Sequence, residues 1–285
     1  MKIISILVPT YNEEDNVINV VTKLEEILNG LENYDYEIVF IDNYSRDNTR
    51  NIIINLCKEN KHVKAILNAK NFGFIKSCFY GITQTTGDAT VLLYADLQEP
   101  PEVILDFIKE WENGAKIVVG KKIKSKENFI MSLIRKLYYK LMKKISDVEQ
   151  IENFHGFGLY DKSFIDILNA LNDPEPYLRG IVSELGFGIK EVYYEHQKRK
   201  FGKTHFNFYK MYDLAMLGIT SYSKIVLRLA TMFGFFFSIV TFIIGLITLI
   251  QKIINWNNYP IGIAALMVGG IFYRLYTTFL YRTFR

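Results

Sequence analysis

Residues 94–102 read YADLQEPPE. Asp96, Gln98 and Glu99 bring two carboxylates and an amide together there, and Pro100 and Pro101 then force the chain to turn. The run before them, ATVLLY, has the length and composition of a buried strand. A strand that ends this way presents oxygen donors at its tip, as a site built to hold something would.

Three further apolar, β-rich runs precede it: IISILV at 3–8, YEIVFI at 36–41 and VKAIL at 63–67. A fifth, KIVVG, follows at 116–120. Helical patterns fill the intervals at about 14–29, 47–60, 73–85 and 101–113, and Asp47 stands where it would N-cap the second. This alternation predicts an α/β fold with a mostly parallel sheet and helices on both faces. In such sheets ligands sit outside the carboxyl ends of the strands. The first four strands are followed by PTYNEE, DNYSRDNT, NAKNFG and ADLQEPPE. One polar loop after a strand is ordinary; four on one sheet edge mark a binding site.

Several chemistries are excluded. No G-x-G-x-x-G follows the first strand and no G-x-x-x-x-G-K-[ST] occurs, which removes dinucleotide and P-loop enzymes. The four histidines show no zinc spacing. Cys57 and Cys78 match no redox or metal motif and are expected to be buried and reduced. The N-terminal run is too short for a secretory signal. A net charge of +4 with amphipathic basic segments argues against a nucleic-acid partner.

Together, VPTYNEE, IDNYSRDNT, NAKNFG and YADLQEPPE resemble glycosyltransferase family 2, with its GT-A Rossmann-like fold. The likeness is greatest to its membrane-anchored polyisoprenyl-phosphate glycosyltransferases, the dolichol-phosphate mannose synthase group. It implies a nucleotide-sugar donor and a divalent cation, Mg²⁺ or Mn²⁺, on the diphosphate. Asp96 and Gln98 would be its ligands, with Asp96 also serving the donor and catalysis; hard cations take oxygen donors. Glu99 either supports these ligands from behind or faces solvent. By position in the family, Asp42 binds the nucleotide base, and Pro9, Tyr11 and Glu13 line the ribose and base pocket. Tyr11 also reads as a packed loop aromatic.

The chain departs from the family pattern. Tyr94 replaces the first acid of the D-x-D motif, and Asn43 and Tyr44 replace an Asp and a Gly after the second strand. GFGLYD at 156–161 stands where relatives carry G-D-F-R-L, so Gly156 and Gly158 replace an acid and an arginine. Glu184 in RGIVSELGF is the acid left as a candidate catalytic base; it also reads as a satisfied structural carboxylate. HQKRKFGKTHFNFY at 196–209 resembles the family segment that holds phosphate, with Arg199, Gly202 and Thr204 matching and His196 in place of an Arg.

Nearly half the chain is apolar, which fits a folded core plus a lipid-facing part. Residues 229–250 carry no charge and, at ~1.5 Å per residue, are long enough to cross a bilayer core of ~30 Å. A second crossing is expected at about 261–281, where Gly262, Gly269 and Gly270 allow close packing and Arg274 can snorkel. Lys224, Arg228, Arg282 and Arg285 flank this hairpin and put both ends in the cytoplasm. The expected organisation is a cytosolic catalytic domain at 1–225 and a transmembrane hairpin at 226–285, multi-pass in the plasma membrane. Ten lysines or arginines against one glutamate lie between Lys116 and Ser146. Within them residues 129–146 form an amphipathic pattern suited to anionic lipid, although an ordinary surface helix shows the same pattern. A further helix at 207–223 leads into the anchor.

The leading expectation is an inverting glycosyltransferase that moves a sugar from a UDP- or GDP-sugar to a polyisoprenyl phosphate. A second is transfer to a lipid-linked sugar during polysaccharide assembly, where a hydroxyl acceptor requires a base. A third is a non-catalytic nucleotide-binding membrane subunit. The reading leaves room for a homo-oligomer.

Overall fold

The structure is a computed structural model that describes residues 1–123, 129–146, 148–171, 173, 175–197, 208–254, 269–270, 273 and 276–277. The chain divides into two compact units, Met1–Tyr222 and Ser223–Arg285.

In the first unit a sheet of seven strands is assembled from β1 (Lys2–Thr10), β2 (Tyr34–Asp42), β3 (Val63–Leu67), β4 (Ala89–Leu92), β5 (Ile117–Lys122), β6 (Phe154–Asp161) and β7 (Ile189–Tyr194). Their order is β3-β2-β1-β4-β6-β5-β7. All neighbours pair in parallel except β6, which runs antiparallel to both β4 and β5. The carboxyl ends of six strands and the start of β6 therefore share one edge.

The period-two pattern of the strands builds a core on each face. On one face Ile4, Ile6, Val8, Ile38 and Phe40 pack against α1 (Val17–Leu28), α2 (Thr49–Glu59) and α4 (Val103–Glu112). On the other Leu7, Val39, Ile41 and Tyr160 pack against α3 (Phe74–Thr83), α6 (Lys162–Leu171) and α7 (Leu178–Glu184). One polar residue of β1, Ser5, is fully buried, and its hydroxyl donates to Glu37 Oε1 at 2.5 Å. Glu37 also accepts from Thr86 and Lys64. Burial pushes its carboxyl up, but these hydrogen bonds outweigh burial and hold it below the usual range.

The helix at 14–29 starts later than its pattern suggests, because residues 14–16 still form a turn after β1. Asn48, rather than Asp47, is the N-cap residue of α2, while Asp47 Oδ1 accepts from the Thr49 amide at 3.0 Å. Cys78 is buried as expected; Cys57 is only half-buried. Two strands and two helices, β6, β7, α6 and α7, were not anticipated.

α5 (Phe129–Ile145) and α8 (Phe208–Tyr222) complete the first unit. On α5 the lysines at 136, 140, 143 and 144 are exposed, but so are Leu133, Ile134, Leu137 and Leu141. Met142 is buried.

The second unit contains α9 (Ile225–Ile254). Its stretch Arg228–Thr248 has a mean hydropathy of 2.3 and is the one helix among the described residues long and apolar enough to cross a membrane. Its large side chains face outward, Phe235 at 69% and Phe242 at 70% exposure, as a soluble core helix would not leave them. Most of the second expected crossing, including Arg274, lies outside the described residues; 269–270, 273 and 276–277 are helical.

Candidate active site

The loops after β1 and β2 are laced together. The Asn12 amide donates to Ser45 Oγ at 2.9 Å, the Arg46 amide to Asn12 Oδ1 at 2.8 Å, the Glu13 amide to Thr49 Oγ1 at 2.8 Å and the Asn48 amide to Glu14 Oε2 at 2.8 Å. Asn12 and Tyr44 take positive φ, 55° and 66°, at the turns that make this lacing possible. Pro9, Tyr11 and Glu13 are half-buried along it, and Glu13 Oε2 accepts from Asn16 at 2.6 Å.

Asp42, the last residue of β2, is fully buried. Its carboxylate accepts from the Ser45 amide at 3.2 Å and lies 3.7 Å from Arg50 Nε. Arg50 in turn donates to the Asn68 carbonyl at 3.0 Å and sits over the ring of Tyr44, which is exposed. A ligand therefore reaches Asp42 only when one of these covering groups moves. Asn43 is structural: its Oδ1 accepts from the Phe72 amide at 3.0 Å and its Nδ2 donates to Asn71 at 3.1 Å, which fixes the loop after β3.

Beyond β4 the chain turns at Leu97, whose φ is 51°. Asp96 is half-buried; its Oδ1 accepts from the Gln98 amide at 3.3 Å, and its Oδ2 has no hydrogen-bond partner among the described residues. Gln98 exchanges contacts with Gln197, receiving its amide at 2.9 Å and donating from Nε2 at 3.4 Å. Glu99 is buried, not solvent-facing. It lies 3.6 Å from Lys122 Nζ and 3.7 Å from His196 Nε2, and accepts from Tyr194 at 3.3 Å. Burial pushes its carboxyl up to about 7, against the opposing pull of Lys122.

Tyr94 and Gly156 are neighbours. The Tyr94 hydroxyl donates to the His155 carbonyl at 2.5 Å, and a Cβ on Gly156 would stand 2.9 Å from that hydroxyl. Gly156 has φ +105°, which side-chain-bearing residues avoid. Two departures seen in sequence, 62 residues apart, thus form one contact: the phenol occupies the space an acid at 156 would need. Gly158 has its own cause, since a Cβ there would lie 2.4 Å from the Val118 carbonyl.

Divalent-cation chemistry fits what remains. A half-buried carboxylate with an open oxygen and no cationic partner among the described residues suits a hard ion, and Gln98 Oε1 is a second oxygen donor. Among the described residues no three His, Cys, Asp or Glu side chains cluster to cage an ion. An ion here would complete its shell from ligand phosphates and water, as Mg²⁺ commonly does.

Residues 5–168 match glycosyl transferase family 2. The chain belongs to that family. It is also 33% identical over 273 residues to the bactoprenol glucosyl transferase of Shigella phage SfX, spanning 94% of this chain and 89% of that protein. A prophage bactoprenol glucosyl transferase homolog of Escherichia coli K12 is 34% identical over the same shares. Among solved structures, glucosyl-3-phosphoglycerate synthase from Mycobacterium tuberculosis, in complex with Mg²⁺ and UDP, aligns with a TM-score of 0.53 at 16% identity, covering 77% of this chain and 79% of that one. That likeness supports a GT-A-like fold. As a member of family 2 the protein is a glycosyltransferase.

The structure brings Asp42, Pro9, Tyr11, Glu13, Asp96 and Gln98 to one sheet edge. Glu184 is elsewhere: it is exposed at the end of α7, and burial followed by this carboxylate pushes the Tyr222 phenol up. Arg199 lies outside the described residues. Sequence reasoning missed Arg50, which lies just outside the motifs quoted above.

Asp42→Ala is expected to raise the donor KM more than it lowers kcat, because a contact distant from the reacting carbon contributes binding common to ground and transition states. Steady-state kinetics with varied donor tests it; an unchanged donor KM would remove Asp42 from the nucleotide site.

Proposed function

We propose that this family 2 enzyme transfers a sugar, with inversion, from a UDP- or GDP-sugar to a polyisoprenyl phosphate at the cytoplasmic face of a membrane. The observation that carries the reading is the Tyr94–Gly156 contact. It fills the position of the family acid, so the site lacks that group as a base. A phosphate acceptor needs none, being ionised near neutral pH. The relatives named as bactoprenol glucosyl transferases support the same acceptor class.

In the transfer an acceptor phosphate oxygen attacks the sugar C1. The C1–O bond to the donor diphosphate breaks, and the nucleoside diphosphate leaves with the bonding electrons. A cation held by Asp96 and Gln98 would neutralise the charge gathering on that leaving group. Asp42, Tyr44 and Arg50 supply the base site, and Pro9, Tyr11 and Glu13 the wall beside it.

Membrane placement follows from two features. α9 serves as an anchor, and Lys224 and Arg228 set its near end at the cytoplasmic side. α5 exposes a leucine row beside its lysines; an ordinary surface helix would bury that row.

Two substitutions separate this reading from transfer to a sugar hydroxyl. With a phosphate acceptor, Glu184→Gln leaves kcat nearly unchanged and Arg199→Ala costs ~2–3 kcal/mol in kcat/KM. A hydroxyl acceptor with Glu184 as base reverses the ranking, with Glu184→Gln losing ~10²-fold. That reversal in measured rates would overturn the proposal.

A further inference from the structure

Glu99 directly follows the candidate ion ligand Gln98, and it is 3% exposed. Its Oε1 lies 3.6 Å from Lys122 Nζ and 3.7 Å from His196 Nε2, and accepts from the Tyr194 hydroxyl at 3.3 Å. Lys122 and Tyr194 are register partners at the ends of β5 and β7, and His196 stands just beyond β7. In the sheet order β6 separates β4 from these two strands. The loop after β4 therefore reaches past β6 and plants a buried carboxylate on the ends of strands that β4 does not pair with.

Gln98 makes the same crossing. The Gln197 amide donates to the Gln98 carbonyl at 2.9 Å, and Gln98 Nε2 donates to the Gln197 carbonyl at 3.4 Å. With its nitrogen end used in this way, the Gln98 side chain keeps Oε1 as the end to offer an ion. On the other side of Gln98, Leu97 holds φ 51°, a conformation that leucine adopts only when its surroundings impose it. Glu99 supplies such a constraint. A buried carboxylate is tolerated only against cations and donors, so the loop stays where Lys122, Tyr194 and His196 are. Lys122 is equally bound to the arrangement, since its side chain is 16% exposed and would lose the anion 3.6 Å away.

We propose that Glu99 is a positioning residue for the cation site. By drawing the start of the segment after β7 against the loop after β4, it lets the Gln197 carbonyl fix the Gln98 amide with its oxygen toward the ion. Glu99 acts through Gln98 rather than on the ion, because its own Oε1 is taken up by Lys122, Tyr194 and His196. Groups that hold a metal's ligands in place contribute about tenfold to a hundredfold in affinity. This role rests on the reading above, in which Asp96 and Gln98 hold the diphosphate-bound ion.

The test measures Mn²⁺ binding to the full chain in detergent, with UDP and with GDP in turn, from the loss of the free-ion signal in electron paramagnetic resonance. Gln98→Ala is expected to weaken binding about tenfold, and Glu99→Gln, which keeps shape without charge, by a similar factor. The double variant should be no weaker than Gln98→Ala alone, because the first change has already removed the amide through which Glu99 acts. Excess Mn²⁺ should restore most of the transfer rate of Glu99→Gln. Lys122→Met disturbs the same contact from its other end and should show the same non-additivity; it also serves if Glu99→Gln does not fold. Losses that multiply in the double variants would overturn the role, as would unchanged Mn²⁺ binding in folded Glu99→Gln. If the unsubstituted enzyme binds no Mn²⁺ with either nucleotide, or Gln98→Ala binds it undiminished, the reading of the ion ligands fails and this role with it. If Gln98→Ala is weakened while the Glu99 and Lys122 variants match the unsubstituted enzyme, only this role fails.

Discussion

Asp96→Ala should abolish sugar transfer while leaving the protein folded. Asp96 is the half-buried carboxylate beyond β4 whose Oδ2 has no hydrogen-bond partner among the described residues, and Tyr94 stands in place of a second acid beside it. Glu99 cannot substitute, because it is buried against Lys122, His196 and Tyr194. Loss of this carboxylate removes a means of stabilising charge on the departing diphosphate, a term of several kcal/mol. Folding should survive, since among the described residues the side chain's one hydrogen bond is to the Gln98 amide in its own turn. Activity assays and circular dichroism on the variant decide the matter. Full activity in Asp96→Ala, or in the unsubstituted enzyme with excess EDTA, would remove the metal from the account.

Gly156→Asp is the second large effect. Restoring the family's acid looks benign in sequence, yet the backbone there has φ +105° and the new Cβ would meet the Tyr94 hydroxyl at 2.9 Å and Leu92 Cδ2 at 3.3 Å. Backbone strain of ~1–3 kcal/mol adds to overpacking of similar size. Thermal unfolding should drop by several degrees and transfer should be largely lost. Tyr94→Ala in the same chain removes the clash but not the strain. The double variant should therefore be more stable than the sum of the two single effects predicts, by about 1 kcal/mol or more. Additive effects would show that Tyr94 and the 156 position do not share space.

These two variants mark what could be read in sequence. β1 to β5 were legible because each is a run of β-branched or aromatic residues set off by polar loops, and the carboxyl-end rule then located Asp42 and Asp96. β6 was not legible. FHGFGLYD carries two glycines, which usually argue against a strand, and here each glycine answers to a neighbour far away in sequence: Tyr94 for Gly156, Val118 for Gly158. β7, IKEVYY, is an edge strand with most of its side chains at least partly exposed, so it lacks an apolar run. Glu184 reads as an acid in an apolar segment; the structure leaves it exposed at the end of α7.

The central claim is that the sugar goes to a lipid phosphate. Membranes containing the enzyme should be incubated with labelled UDP- and GDP-sugars in turn, and the organic-soluble product analysed. The account predicts label from one donor in a lipid that carries a single phosphate and a single sugar, with the nucleoside diphosphate released in equal amount. Label in a lipid-linked oligosaccharide, or none in lipid with any donor, would contradict it.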